Sequence, residues 1–455
     1  MKHFGLQLLA VSSLWLVGMA NAATRPAYGG TLHVSTHIAP LSLDPADNSQ
    51  PDSIPRRNIT ALLFDTLITV DDLGRVQPAL AISWQAAPDQ RNWEFHLRTG
   101  VMLADGSLLT PAIVVGALRT ANPAWNVYET ADSVLVGLDG ASPGFPAELA
   151  EARYGIVKRS PGKLSGTGPF RVNDFQPGKS LLLVANEEYW GGRPFVDSVQ
   201  IDLGRSYRDQ IVALDLRKAE VIEFPSDQAR RAAMEGRRLG TSAPMELVAL
   251  VFARDRQSAE DGKMREALAL SIDRSAIRNV LLQGEGETAG GILPNWMTGY
   301  EFLFPTQADM RKAQQARAEV PLAPSWMISY DATDPLSRLI AERIALNAKD
   351  AGLRLQTTTM ANADLRLVRV PLPSTDPRRC LESLAAIFHF APPKLSGDSV
   401  DSWYEAENAL LQTQRIIPLF HLPVDYGLGA SVKNWATHRG GTWALDEVWL
   451  APEKP

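Results

Sequence analysis

The stretch GTGPFRVNDFQPGKSLLLVANEEYWGGRPFVDSVQI, residues 166–201, begins and ends in glycine-rich corners. Gly166-Thr167-Gly168-Pro169-Phe170 reads as a flexible turn whose last residue enters a strand. Tyr189-Trp190-Gly191-Gly192 reads as an aromatic corner followed by a reversal that needs glycine's backbone freedom. Both are architectural features rather than ligand contacts, and they set the reading of the segments on either side.

Upstream, YGGTLHVSTHIAPLSLDPA predicts a strand over residues 31–35 and then a Pro-rich loop. ALLFDTLITVDDLGRVQPALAISWQA predicts a helix, a short strand, an Asp-Asp-Leu-Gly turn and a second helix start. NWEFHLRTGVMLADGSLLTPAIVVGALR predicts an alternating strand, a turn at Asp105-Gly106, and a helix after Thr110 with Pro111 at its first position. Downstream, residues 264–282 are amphipathic, and DPLSRLIAERIALNAKDAGLRLQ reads as a helix ending at Gly352 and feeding a strand. The mixture is α/β throughout, without internal repeats or low-complexity linkers.

With 455 residues, 45% hydrophobic and 21% charged, the chain exceeds what one core usually supports, so two or three domains are expected. The first 22 residues stand apart. Lys2 and His3 precede the apolar residues 4–17, and Ala20-Asn21-Ala22 is a small-x-small site, the pattern of a secretory signal peptide cleaved after Ala22. The apolar run is short for a membrane span, and no later segment approaches the roughly 20 apolar residues a transmembrane helix needs. The only cysteine, Cys380, lies far from the cleavage point, so neither a lipid anchor nor an internal disulfide is expected. Without the leader the chain carries 44 basic and 51 acidic residues, a net charge of −7, and no basic tract that suggests nucleic acid.

Catalytic motifs fail on inspection. Gly140-Ala141-Ser142-Pro143-Gly144 matches G-x-S-x-G, but the residue after the serine must donate its backbone N–H to an oxyanion, and Pro143 has none. Ser160-Pro161-Gly162-Lys163 matches S-x-x-K, yet Pro-Gly forbids the helix that would bring lysine beside serine. His33 and His37 are four apart on a strand and its loop, where that spacing does not gather metal ligands. GEGETAGG, residues 284–291, follows a helix, the wrong context for a dinucleotide fingerprint. Neither catalysis nor a cofactor nor a metal is expected, and a binding protein is. Among the eleven tryptophans, Trp296 in the loop GGILPNWMTGY is the best placed for a ligand cleft, with Trp403 a second candidate.

LFDTLITVDDLGRVQPALAISWQ, WEFHLRTGVMLADGSLLT, the stretch 166–201, MREALALSIDRSAI, and the closing IPLFHLPVDYGLGASVKNW to LDEVWL together resemble the extracellular solute-binding proteins of family five, the dipeptide-, oligopeptide- and nickel-binding group that feeds ABC importers. The matches keep the family's order over nearly all of residues 28–450. The resemblance implies an α/β two-lobed clamp of the periplasmic-binding-protein type (type II, the class with an extra inserted domain). Residues 23–58, 161–244 and 423–455 would form lobe I, 59–160 the inserted small domain and 245–422 lobe II. It further implies a monomer in the periplasm, without a membrane anchor, that captures a peptide or similar small organic solute between its lobes. The closed clamp would deliver that solute to an ABC transporter permease. The alternative is a clamp kept as a periplasmic sensor or interaction protein after transport has been lost; an esterase rests on G-x-S-x-G alone.

The site question centres on RLVRVPLPSTDPRRC, residues 366–380, which alternates like a strand and is then broken by Pro371, Pro373 and Pro377. In peptide-binding relatives the corresponding strand exit carries a Trp and then an Asp, a few residues ahead of an acidic or polar residue followed by Pro, and that Asp pairs with the peptide's amino group. Asp376-Pro377 resembles the end of that motif. Counting back, the Asp position falls on Pro373, and no Trp precedes it. Arg366 or Arg369 would then pair with a carboxylate or phosphate, or point to solvent from alternate strand positions, or the acid comes from elsewhere, with Asp364 and Asp376 as candidates. Residues 120–158 and 301–325 are compressed against the family pattern, which implies a smaller pocket or a degenerate one.

Overall fold

The computed structural model describes residues 26–253, 259–300, 306–321, 325–436 and 438–451. The expected signal peptide, residues 1–22, lies outside them, as does part of the 301–325 segment.

One mixed sheet of eleven strands runs through the molecule. Its main strands are β1 (Thr31–Ser35), β2 (Phe170–Gln176), β3 (Ser180–Ala185), β4 (Ser198–Asp202), β5 (Val221–Phe224), β6 (Leu239–Phe252), β7 (Ser325–Ser329), β8 (Arg354–Thr358), β9 (Leu365–Pro371) and β10 (Ile416–Leu428). Their spatial order is β2-β3-β4-β1-β5-β10-β6-β9-β7-β8, and the short strand Glu287–Thr288 adds to β10. β6 and β10, at 14 and 13 residues, exceed the usual length of about 3–10 because both belong to two lobes. The start of β6 and the end of β10 pair next to β5, while the rest of β6 lies between β10 and β9. Between these regions the ladder shifts at Thr241/Pro244 and Pro244/Glu246. Proline has no N–H to donate, so Pro244 and the facing Pro423 interrupt the pairing where the lobes meet.

Each lobe has its own core. In the first, Leu32, Phe170, Val199 and Ile201 belong to a large buried cluster. In the second, the strict alternation of β6 feeds two layers: Val248, Leu250 and Phe252 pack with Ile328 and Ile340, and Leu247, Ala249 and Val251 pack with Leu381 and Leu384. Helix Pro335–Asp350 begins under an Asp334 cap and precedes β8, the expected helix-to-strand unit. No helix among the described residues is long and apolar enough to cross a membrane.

A separate antiparallel sheet orders Ala81–Ala86, Asn92–Leu97, Ser133–Gly137 and Asn126–Glu129. The expected helix after Thr110 is present as Pro111–Ala121, with the Thr110 hydroxyl accepting from Ile113 N. The helix start expected within residues 78–86 is instead the strand Ala81–Ala86. The alternating strand Asn92–Leu97, which buries Trp93, Phe95 and Leu97, takes its backbone into a ladder, and that tertiary pairing overrides local preference. Ser160 and Lys163 face each other across a hairpin turn, and Ser142 sits in a loop tied by its N–H to Gln90 O. Arg265, Asp273 and Arg274 serve the helices structurally: Asp273 caps Arg274–Val280, and the two arginines donate to the carbonyls of Thr413 and Pro418.

Beside the β6–β10 crossing, Asp425 is buried. One carboxyl oxygen accepts from Thr241 Oγ1 at 2.7 Å, and the other finds no donor among the described residues. Burial lifts this carboxyl to about 7, against the Thr241 bond and with help from Glu285. The folded state therefore favours the protonated form, and the stability it contributes is present at low pH and lost as pH rises through about 7. Urea unfolding at about pH 5 and about pH 8.5 should show Asp425→Asn losing less stability than the parent over that interval. An equal loss in both proteins would refute the assignment.

Candidate functional site

In open α/β sheets, ligands bind outside the carboxyl ends of parallel strands. At the end of β1, Thr36 Oγ1, His37 N and His37 Nδ1 all donate to Glu223 of β5, at 2.8, 2.6 and 2.6 Å. Burial works against the charged His37, but the Glu223 hydrogen bond and charge raise its pKa overall, and Glu246 and Arg369 are close enough to be felt. Near the end of β9, the Arg369 guanidinium pairs with Glu246 of β6 at 2.6 Å and with Asp334 at 2.8 Å. Burial alone would lower its pKa; the two carboxylates reverse that and hold it firmly charged. Tyr207 lies against His37, the rings tilted by 37° with centroids 5.4 Å apart.

Immediately beyond β9 the chain enters the wall of a cavity of about 390 Å³. Leu372, Pro373, Ser374 and Thr375 form one side with Met245, and helix Ile54–Leu63 forms another through Ile54, Arg57, Asn58 and Ala61. The residues after that helix, Thr69 and Val70 of the strand Ile68–Val70, Asp71 and Asp72 of the turn after it, Glu151 with neighbouring alanines, Tyr189, Trp190, Gly440 and Thr442 also line it. Arg57 ties two walls together: it pairs with Asp52 and donates Nη1 to Leu372 O at 2.6 Å. The 71–74 loop is pinned across the cavity, since Asp72 accepts from Arg439 N at 2.9 Å. Gly74 lets it approach closely, because a Cβ there would stand 3.1 Å from Thr375 O.

The corners of residues 166–201 converge on one side chain of this wall. Asp65, just past helix Ile54–Leu63, accepts from Thr167 Oγ1 at 2.9 Å, Trp190 Nε1 at 2.8 Å and Tyr189 Oη at 3.1 Å. Burial raises its pKa to about 6, against the pull of those three donors. A second cavity, about 350 Å³, is bordered by Arg278, residues 286–291, Tyr300 and His421. Arg278 is engaged there by Gly286 O at 2.8 Å. Buried Glu407 braces the same loop by accepting from Ile292 N, Leu293 N and Tyr300 Oη.

Of the side chains nominated from sequence, Arg366 is exposed on β9, opposite Val251 and beside Ser329. Arg369 is the centre of the ion-paired group. Asp376 caps helix Pro377–Ile387 by accepting from Arg379 N at 2.8 Å. Trp296, half-buried, donates Nε1 to Pro244 O at 3.0 Å, with the Arg439 guanidinium 5.8 Å above its ring. Trp403 lies in helix Val400–Leu411, its Nε1 without a hydrogen-bond partner among the described residues. None of the five borders either cavity, whereas the strand exit after Arg369 does. Asp364 sits at the far end of β9, accepting from Met327 N. Sequence reasoning missed Asp65, Arg57, Glu223, Glu246 and Asp334. Asp334-Pro335 repeats the Asp376-Pro377 capping signature, so its place at a helix start was legible, but its partner was not.

The family model described as bacterial extracellular solute-binding proteins, family 5 middle, matches residues 75–375. The peptide transport periplasmic protein SapA of Salmonella typhimurium strain LT2 is 23% identical over 450 residues, covering 79% of this chain and 81% of the relative. The oligopeptide-binding protein AppA of Bacillus subtilis, in complex with a nonapeptide, superimposes with a TM-score of 0.79 at 16% identity, over 94% of this chain and 100% of that one. A dipeptide-binding protein from Pseudoalteromonas sp. SM9913, in complex with Met-Leu, gives 0.77 at 16% identity, over 93% and 100%. At such identities the structural matches establish the two-lobed fold.

Proposed function

Because the chain belongs to the bacterial extracellular solute-binding proteins of family 5, we propose that it is the periplasmic substrate-binding component of an ABC importer. It captures a peptide or similar small organic solute between its lobes and delivers it to a membrane permease, without chemistry of its own. The observation that carries this reading is the 390 Å³ cavity, whose walls come from both sides of the β6–β10 crossing. Its size falls in the range of about 300–1,000 Å³ typical of small-molecule sites, which suits a short peptide. Closing the lobes around a ligand that touches both walls stabilises the closed form, and a permease can read that state.

In this reading the leader, residues 1–22, is removed after Ala22, and the mature chain is an unanchored monomer. Lobe I comprises residues 23–58, 161–244 and 423–455, the small domain 59–160 and lobe II 245–422. Arg369, Asp376 and Trp296 act on the ligand indirectly, by bracing the strand exit and the β6–β10 crossing beside the cavity, with Arg366 and Trp403 further out. The sensor alternative is not favoured by the names of the relatives, which describe peptide transport and binding.

The test is thermal or urea unfolding of the mature chain with a panel of di- and tripeptides and comparable solutes. At a hundredfold excess over its dissociation constant a true ligand should add about 2.7 kcal/mol of stability. Absence of stabilisation by every compound would overturn the reading.

A further inference from the structure

Most of the charged side chains that border the 390 Å³ cavity are neutralised from within the protein: Arg57 pairs with Asp52, Asp71 with Arg75, and Glu151 with Arg379. Asp72 is half-exposed to water and lies 3.4 Å from the His438 ring. Asp65 differs: each of its three partners is a neutral donor. Two of them share Oδ2, and among the described residues Oδ1 receives only the Tyr189 hydroxyl, so Oδ1 keeps accepting capacity, and Asp65 borders the cavity. A carboxylate withdrawn from water without a counter-charge is costly, and a cation brought to it gains a charge-assisted hydrogen bond. The strand exit on another wall supplies no such group. Pro373 has neither charge nor N–H, and the Ser374 hydroxyl is taken by Asp376 N at 3.0 Å.

We propose that Asp65 is the carboxylate that receives the cationic group of the ligand, an ammonium or guanidinium, and so makes the site selective for positively charged peptides or amines. The inference rests on the solute-binding reading above and specifies its ligand class. Its physical content is that the acid lies past the end of helix Ile54–Leu63 and not on the strand exit. The Thr167, Tyr189 and Trp190 donors hold it in place, so a ligand cation meets a pre-oriented acceptor and the ordering cost on binding is small.

The experiment is calorimetric titration of the mature chain with free-amine di- and tripeptides, the same peptides N-acetylated, and simple diamines. The free-amine compounds should bind and the acetylated peptides should not. Asp65→Asn, which preserves the size of the side chain and an oxygen acceptor, should weaken the cationic compounds by roughly 10- to 100-fold, the usual value of a hydrogen bond to a charged group. Pro373→Asp in the parent and in the Asp65→Asn variant separates the roles: an acid on the same cavity should strengthen the cationic compounds more in the variant, where it replaces a lost counter-charge, than in the parent, whereas a purely structural Asp65 gives the same gain in both. Equal binding of acetylated and free peptides, or an Asp65→Asn effect that is the same for both, would overturn the assignment while leaving peptide binding intact. Asp65-dependent binding of diamines alone would uphold Asp65 and overturn the peptide reading.

Discussion

Gly166→Ala should cost the protein about 3–4 kcal/mol, at the upper end of what overpacking a well-filled site does. The added Cβ would stand 2.1 Å from Leu63 O and 2.4 Å from Phe64 Cδ1. Neither can withdraw easily. Leu63 and Phe64 are 3% and 4% exposed, and Leu63 O already accepts from Gly168 N at 3.0 Å. Gly168 repeats the constraint, with a would-be Cβ 2.6 Å from Leu63 C. The two glycines thus let the segment lie directly against the end of helix Ile54–Leu63, and Thr167 between them reaches Asp65. Gly116→Ala is the internal control. It lies within helix Pro111–Ala121 with nothing within 4 Å of its would-be Cβ, so the same substitution should stabilise by about 0.5–1 kcal/mol. Urea unfolding of both variants decides the matter: a Gly166→Ala protein within about 1 kcal/mol of the parent would show that the packing relaxes.

Arg369→Ala should cost about 3 kcal/mol, near the lower edge of the range for breaking a buried pair, since the side chain retains 27% exposure. The loss arises less from the missing attraction than from what remains, two partly buried carboxylates, Glu246 and Asp334, without their shared cation. The structure therefore makes a conditional prediction. In a Glu246→Gln, Asp334→Asn background the same Arg369→Ala change should be almost free, because no uncompensated charge is created. Asp334 is held below its ordinary pKa, Arg369 and the Ser337 hydroxyl outweighing the effect of burial. Its contribution is present above the unfolded pKa and fades as pH falls through the folded one, so the Arg369→Ala deficit should shrink toward acidic pH. A deficit of equal size in both backgrounds would refute the ion-pair account. Calorimetry on the same variants separates an architectural Arg369 from one that grips an anionic solute, which would lose affinity out of proportion to stability.

The local signals in the sequence were reliable where their causes are local. The alternation of Asn92–Leu97, the Thr110-Pro111 helix start, and the Asp334-Pro335 start and Gly352 stop around helix Pro335–Asp350 depend on neighbours within a few residues, and each is where the pattern placed it. The strand Ala81–Ala86 shows the limit. Its apolar run suits a helix start equally well, and only pairing with Asn92–Leu97 decides between the two.

For the site, the sequence by itself determined that the strand exit is broken by Pro371, Pro373 and Pro377, and that several arginines crowd it. It did not determine what those arginines face. Arg369 lies 123 positions from Glu246 and 35 from Asp334, and Asp65 lies more than 100 from Thr167, Tyr189 and Trp190. Helix periodicity and turn chemistry act over a few residues and are written in short stretches, whereas the state of a buried charge depends on which other chain segments the fold brings within about 4 Å. That pairing of distant segments was settled only by tertiary structure, which leaves Asp65, not singled out from the sequence, as a buried cavity carboxylate without a cationic partner among the described residues.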